Sequence, residues 1–233
     1  MKLLTDQVFQ QMYDRGEQLD ISRVELRNCM FNSSGLSMTT ELASRSTVRD
    51  AFLKDCIAHN CTVGPAHLQN VLIENLRTDD LLIVWGATFD RVTFQGDIGK
   101  LKLNTMISIT DRSPEAQAIF DAERSRIYNS IEWAIDISNA RFKEFDFRGI
   151  PARLVRRDPA TQMVVTRERA LASGWQEKLN PSNKLWPFMI RLFLSDGVDD
   201  AVFVAPMGAP KRKRDMLLGE LHELQDLGVL EPN

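Results

Sequence analysis

Ala87-Thr88-Phe89-Asp90-Arg91-Val92-Thr93-Phe94-Gln95-Gly96 and Ala140-Arg141-Phe142-Lys143-Glu144-Phe145-Asp146-Phe147-Arg148-Gly149 share one rhythm. Phe89 and Phe94 lie five apart, as do Phe142 and Phe147. Each has an apolar residue two positions earlier: Ala87, Val92, Ala140 and Phe145. A helix repeats its apolar face at three and four residues, and a strand at two. Neither period produces five with a partner two back.

The same spacing extends in both directions. Upstream, Leu26, Phe31 and Leu36 form one run, with Val24 and Cys29 two residues ahead of the first two. Cys56, Cys61, Ala66, Val71, Leu76 and Leu81 form another. Downstream, Ala152 continues the run of Phe142 and Phe147, preceded by Ile150. A chain wound into a four-sided coil accounts for this pattern. Each side is about five residues long, its central residue and the one two before it point inward, and the rest face solvent. No single coil has a core of its own, so each stacks on the next.

The segments at 87–96 and 140–149 resemble the A-x-F-x-x rhythm of pentapeptide-repeat proteins. The resemblance covers residues from about 24 to 152, with interruptions: 37–50 is polar, with Glu41 where an apolar residue is due, Gly99 and Asn104 weaken the third run, and 113–130 breaks it. It implies a right-handed quadrilateral β-helix that acts through binding surfaces. A β-sandwich or an irregular α+β domain with coincident spacing stays open as the alternative.

The expected fold class is therefore mainly β with helices: a short right-handed parallel β-helix, pentapeptide-repeat-like, with an N-terminal helical cap and a C-terminal α+β part. Residues 1–152 form the β-helix domain and 153–233 the C-terminal subdomain or cap. The cap helix is read at 3–15, where Leu4, Val8 and Met12 recur every four residues and Gly16 can stop the helix. A helical insertion is expected at 113–131, with Ser113 as N-cap, Pro114 at the first helical position and Glu115 complementing the dipole. Beyond 152, a hairpin flanks the turn-rich 157–161, a helix opens after Thr166, Ala201–Val204 is a strand, and a last helix runs from Lys211 to Leu227.

Composition narrows the function classes. The chain has 233 residues, 43% hydrophobic and 26% charged, enough for one large core. A net charge of -3 provides no global basic field to hold phosphates. The N-terminal apolar stretch is two residues, short of a secretory leader, and no stretch approaches the roughly 20 apolar residues that span a bilayer. A cytoplasmic location is expected, with no membrane partner. Three cysteines, Cys29, Cys56 and Cys61, are too few for a disulfide scaffold.

Candidate chemistry is sparse. Cys56, His59, Cys61 and His67 match no common zinc spacing, and Cys56 and Cys61 occupy inward positions, so no metal is expected. His59 and Cys61 would share a strand face, but a buried structural thiol explains the cysteine. Asp79, Asp80, Asp90 and Asp97 could supply an acid–base pair; their interleaving with Arg77, Arg91 and Lys100 reads instead as a solvated face. No nucleotide, nucleophile-elbow or zinc-protease motif is present. No catalytic residue and no cofactor is expected.

Two features suggest contact with other molecules. The run 185–194 includes Trp186, Phe188, Met189 and Phe193, and a segment apolar on all sides must be covered, by its own subdomain or by a second copy of the chain in a homodimer. Lys211-Arg212-Lys213-Arg214 opposes the dipole at a helix start, which suits an anionic partner; a solvated helix start, followed at once by Asp215, is the favoured reading. The leading reading is a non-enzymatic protein-interaction or scaffold protein using a rigid β-helix surface, its partner a protein or itself as a homodimer. The alternatives are a β-helical enzyme acting on a carbohydrate-like polar substrate through paired carboxylates and, more weakly, a nucleic-acid-associated protein; nucleic acid is not the expected partner.

Overall fold

A computed structural model describes residues 1–108, 110 and 113–231. The chain opens with β1 (Lys2–Thr5) and β2 (Val8–Gln10), then β3 (Asp20–Arg27), β4 (Met30–Asn32) and β5 (Gly35–Leu36). The same succession recurs as β6 (Thr47–Lys54), β7 (Ile57–His59) and β8 (Thr62–Val63), and as β9 (His67–Glu74), β10 (Arg77–Thr78) and β11 (Leu82–Trp85). Then come β12 (Thr88–Asn104), α1 (Pro114–Tyr128), β13 (Ile135–Phe147) and β14 (Val155–Arg156). The C-terminal part holds β15 (Gln162–Thr166), α2 (Arg167–Leu171), α3 (Trp175–Lys178), α4 (Leu185–Ser195), β16 (Asp200–Val204) and α5 (Lys211–Asp226).

Ten strands form one parallel sheet in the order β1-β3-β6-β9-β12-β11-β8-β5, with β13 on β12 and β14 on β13. A second parallel sheet runs β2-β4-β7-β10. β12 curls the large sheet: its first half pairs with β9 and its last four residues pair with β11. One inward row runs Val24, Ala51, Val71, Val92 and Ile135 through successive strands. Phe89, Phe94, Phe142 and Phe147 are buried; Leu26 and Phe31 are partly buried and pack on the same core.

These findings correct the expected fold class, the short right-handed parallel β-helix with an N-terminal helical cap. Residues 3–15 hold β1 and β2 rather than a helix. Their i, i+4 apolar spacing coexists with a five-residue one, Leu4 to Phe9, and Phe9 packs inward, stacked on Phe31 at 5.1 Å. Asp6 and Gln11 take left-handed backbone angles, which no helix permits. The strands also do not sort into equal five-residue sides: ten of them merge into one large curled parallel sheet, a half-barrel, with helices added. The reason lies in β12 and β13, which run unbroken for 17 and 13 residues through what would be corners. Gly96 lets β12 do so: at φ 71° it lies where a Cβ would meet Asn75 Oδ1 at 2.1 Å.

Bends between strands, and others inside β3, β6, β9 and β12, take a positive φ. Asn28, Asp55 and Asn75 sit in register in that conformation, as do Arg23, Asp50, Asn70 and Arg91. Asn and Asp suit it because their short side chains bond locally. Here they bond along the stack, Asn70 Nδ2 donating to Asp50 at 2.6 Å and Asn75 Nδ2 to Asp55 at 2.9 Å.

α1 forms as the sequence dictates, with the Ala116 N–H donating to Ser113 Oγ at 3.2 Å. It buries Phe120, Ile127 and Tyr128, and Glu123 pairs with Arg45 at 3.0 Å. The expected hairpin around 157–161 does not form. β14 extends the large sheet in parallel, while β15 pairs antiparallel with β16. That two-stranded ribbon is a wall between two cores: Val164, Val202 and Val204 pack on the large sheet's core, and Met163, Val165 and Phe203 on a second one with Trp186, Ile190 and Leu221. Gln162 ties the two parts, its buried amide donating to Ile137 O at 2.9 Å. Among the described residues no helix is long and apolar enough to cross a membrane.

Candidate functional site

The C-terminal candidates separate on folding. Trp186 and Phe193 are buried, Trp186 donating its indole N–H to Leu217 O at 3.0 Å and stacking on Phe203. They are core residues of the C-terminal part. Met189 is partly buried. Phe188, 46% exposed, lies under the Arg191 guanidinium at 5.8 Å. Lys211, Arg212 and Lys213 open α5 exposed to solvent, and Arg214 pairs with Asp215 at 3.0 Å.

The cysteines and histidines of 56–67 point to different places. Cys56 and Cys61 turn their thiols to backbone carbonyls, Cys56 to Lys54 O and Cys61 to His59 O. Burial pushes the Cys56 thiol pKa up, the wrong direction for a nucleophile. His59 pairs outside with Asp79. His67 bonds Thr88 Oγ1 at 2.9 Å, and burial, reinforced by the Arg45 charge, lowers its pKa. Among the described residues, no three His, Cys, Asp or Glu side chains gather as metal ligands.

The four carboxylates do not converge either. Asp79 is held by His59, and Asp90 accepts from Gln69 at 2.8 Å. Asp97 pairs with Arg141 at 2.9 Å, and that hydrogen bond holds its carboxyl below the ordinary value. A general acid needs the opposite shift. Asp80 is exposed on the turn before β11.

The surface feature with most potential lies on the outer face of the large sheet. Residues one position past the inward row face outward: Leu3, Glu25, Phe52, Leu72, Thr93, Asp136 and Arg156 stand side by side on seven consecutive strands. Neighbours in such a row are about 4.8 Å apart. Phe52 and Leu72 occupy its middle, each only partly covered, between Glu25 on one side and Asp136 on the other. They line an open depression of about 390 Å³ together with Asp50, Asn70, Arg91 and Trp133. The Arg156 guanidinium sits over the Trp133 ring at 4.3 Å, and the Arg91 N–H donates to Trp133 O at 3.3 Å, which fixes the segment before β13 against the sheet.

Sequence reading missed Phe52, Leu72 and Trp133. The signal was available for the first two: each follows an inward residue, Ala51 and Val71, and so occupies an outward position where solvent favours a polar side chain. Trp133 follows α1, and only the fold brings it beside β12. A scan against family models and searches of curated proteins and of solved structures find no match, so the likeness of 87–96 and 140–149 to pentapeptide repeats remains one of rhythm.

Proposed function

We propose that the chain is a non-enzymatic interaction or scaffold protein that receives a partner protein on the outer face of its large sheet, around Phe52, Leu72 and Trp133. The observation that carries this reading is the placement of Phe52 and Leu72 side by side at outward positions. A sheet whose outer face met only water would gain more from polar residues there. Aromatic and arginine side chains supply most binding energy where partners meet, and Trp133, Arg91 and Arg156 flank this pair. The residues sit on hydrogen-bonded strands, so little ordering cost attends binding. The acids on either side of the row's middle, Glu25 and Asp136, favour a partner segment with an apolar centre and basic flanks. The same reading places the protein in the cytoplasm, where its unpaired cysteines stay reduced.

The test compares the wild-type chain with Phe52→Ser/Leu72→Ser as bait in quantitative affinity capture, followed by titration calorimetry with each purified protein that distinguishes them. The expected result is a protein that binds wild type and loses at least about tenfold in affinity to the double variant, which stays folded with a melting temperature lowered by only about 2–6 °C. If every captured protein binds both baits equally, the outer face is not the docking surface.

A further inference from the structure

The N-terminal edge of the large sheet is open. Met1, Leu3, Val8, Met12 and Tyr13, all in the first turn of the chain, are exposed apolar side chains, and Leu3 is 55% exposed. Among the described residues β1 has β3 as its only strand partner. The pairing fixes which backbone groups are unused. Leu4 lies opposite Leu26, and the Asp6 N–H donates to Arg27 O at 3.0 Å. In a parallel ladder alternate residues bond to one neighbour, so Lys2, Leu4 and Asp6 face β3. Leu3 and Thr5 direct their N–H and C=O groups to the free edge. Of these, Thr5 O accepts from the exposed Gln7 side chain two residues on, at 2.9 Å.

That edge is complementary to itself. In an antiparallel pair about a two-fold axis through Leu4, Leu3 of one copy lies opposite Thr5 of the other. These two residues are the ones with free groups, and the two such pairs give four backbone hydrogen bonds. Leu4 then meets Leu4 in the close, non-hydrogen-bonded position, where side chains touch most. Lys2 falls opposite Asp6 at both ends, which supplies two attractive charge pairs. Shifting the register by one residue loses both the charge pairing and the match of free groups. We propose that two copies of this chain join edge to edge through β1 in this register. The proposal rests on the strand edge alone, so it stands or falls apart from the reading of Phe52 and Leu72.

The full-length chain is measured by sedimentation velocity from 1 to 100 µM, a span of concentrations set about typical dimer affinities. The expected wild-type result is a species of twice the 26.5 kDa chain mass that dissociates on dilution. Thr5→Pro removes an N–H that only the partner would use, on an edge strand where proline fits, and is expected to leave a folded monomer. Lys2→Glu and Asp6→Lys each place like charges opposite one another and are expected to weaken association about tenfold. An equimolar mixture of those two variants restores attraction at both ends and is expected to recover the dimer. Circular dichroism of each variant separates loss of pairing from loss of fold. A wild-type monomer across the whole range overturns the proposal. So does a dimer that Thr5→Pro leaves intact, or a charge-swap mixture that stays monomeric while both variants are folded.

Discussion

Phe142→Ala should be among the most damaging single substitutions in the chain. Its ring is fully buried, stacks on Phe145 at 4.0 Å with an interplanar angle of 7°, and tilts against Phe94 at 6.1 Å. The backbone is held on one side by pairing with β12, Phe142 opposite Ile98, and on the other by the Gly208 N–H donating to Phe142 O at 2.8 Å, so the site cannot collapse to fill the cavity. Truncating a buried phenylalanine costs about 3–5 kcal/mol, with rigid sites at the upper end. A domain of this kind is stable by roughly 5–15 kcal/mol, so the loss is a large share of the total. Phe52→Ala is the matching control, because its ring faces outward; it should cost roughly 0.5–1 kcal/mol. Urea unfolding followed by tryptophan fluorescence reads both values. A double-mutant cycle over Phe142 and Phe145 should return a coupling of about 0.5–1.5 kcal/mol for the stacked rings. If Phe142→Ala costs no more than Phe52→Ala, the assignment of inward and outward faces is wrong.

Three other outcomes follow from named contacts. Asn75 has φ 54° and bonds both Asp55 and the Asp97 N–H, so Asn75→Val should cost more than Asn75→Gly by about 1–2 kcal/mol in the same unfolding assay, because only glycine accepts the backbone angle freely. Burial opposes ionisation of Asp14, but bonds from Ser46 Oγ and the Glu17, Ser37 and Gly16 N–H groups outweigh it and hold its pKa below the ordinary 3.8. Its contribution is thus present above that value and lost as pH falls through the lower folded-state pKa; melting temperatures from pH 5 down to about 2 should fall less steeply in Asp14→Asn than in wild type. Glu123→Gln leaves Arg45 largely buried without its carboxylate, and should cost about 1.5–3 kcal/mol and make α1 the first site of limited proteolysis.

Much of the interior was legible because burial imposes a period. Phe89, Phe94, Phe142 and Phe147 announce their common side by spacing alone, and parallel pairing of successive strands follows from stacking like on like. The N-terminal segment misled because Leu4, Val8 and Met12 satisfy a helical period while Leu4 and Phe9 satisfy the five-residue one. Only pairing with β3 and β4 decides between them, and that is a long-range interaction. The length of β12 was hidden for a similar reason: Gly99 reads as weakening the run, yet the missing side chains of Gly96 and Gly99 let the strand pass close to Asn75 and Thr78. The run 185–194 showed that it must be covered. Its cover, Phe203 and Leu217 on distant elements, was set by the tertiary fold. The outer depression depends on Trp133 reaching β12 around α1, which no local pattern encodes.

The parallel order that brings Glu25, Phe52, Leu72, Thr93 and Asp136 into one outward row underlies both the core and the proposed docking surface. Spin labels on Glu25→Cys and Asp136→Cys, in a chain whose three native cysteines are replaced by alanine, test that order by pulsed electron resonance. Four strand spacings separate the two positions, so in labelled chain diluted with excess unlabelled chain, which leaves only distances within one copy, a single distribution near 19 Å between the backbones is expected, widened only by the label arms. A broad distribution, or one centred far beyond that distance, would contradict the strand order and with it the row.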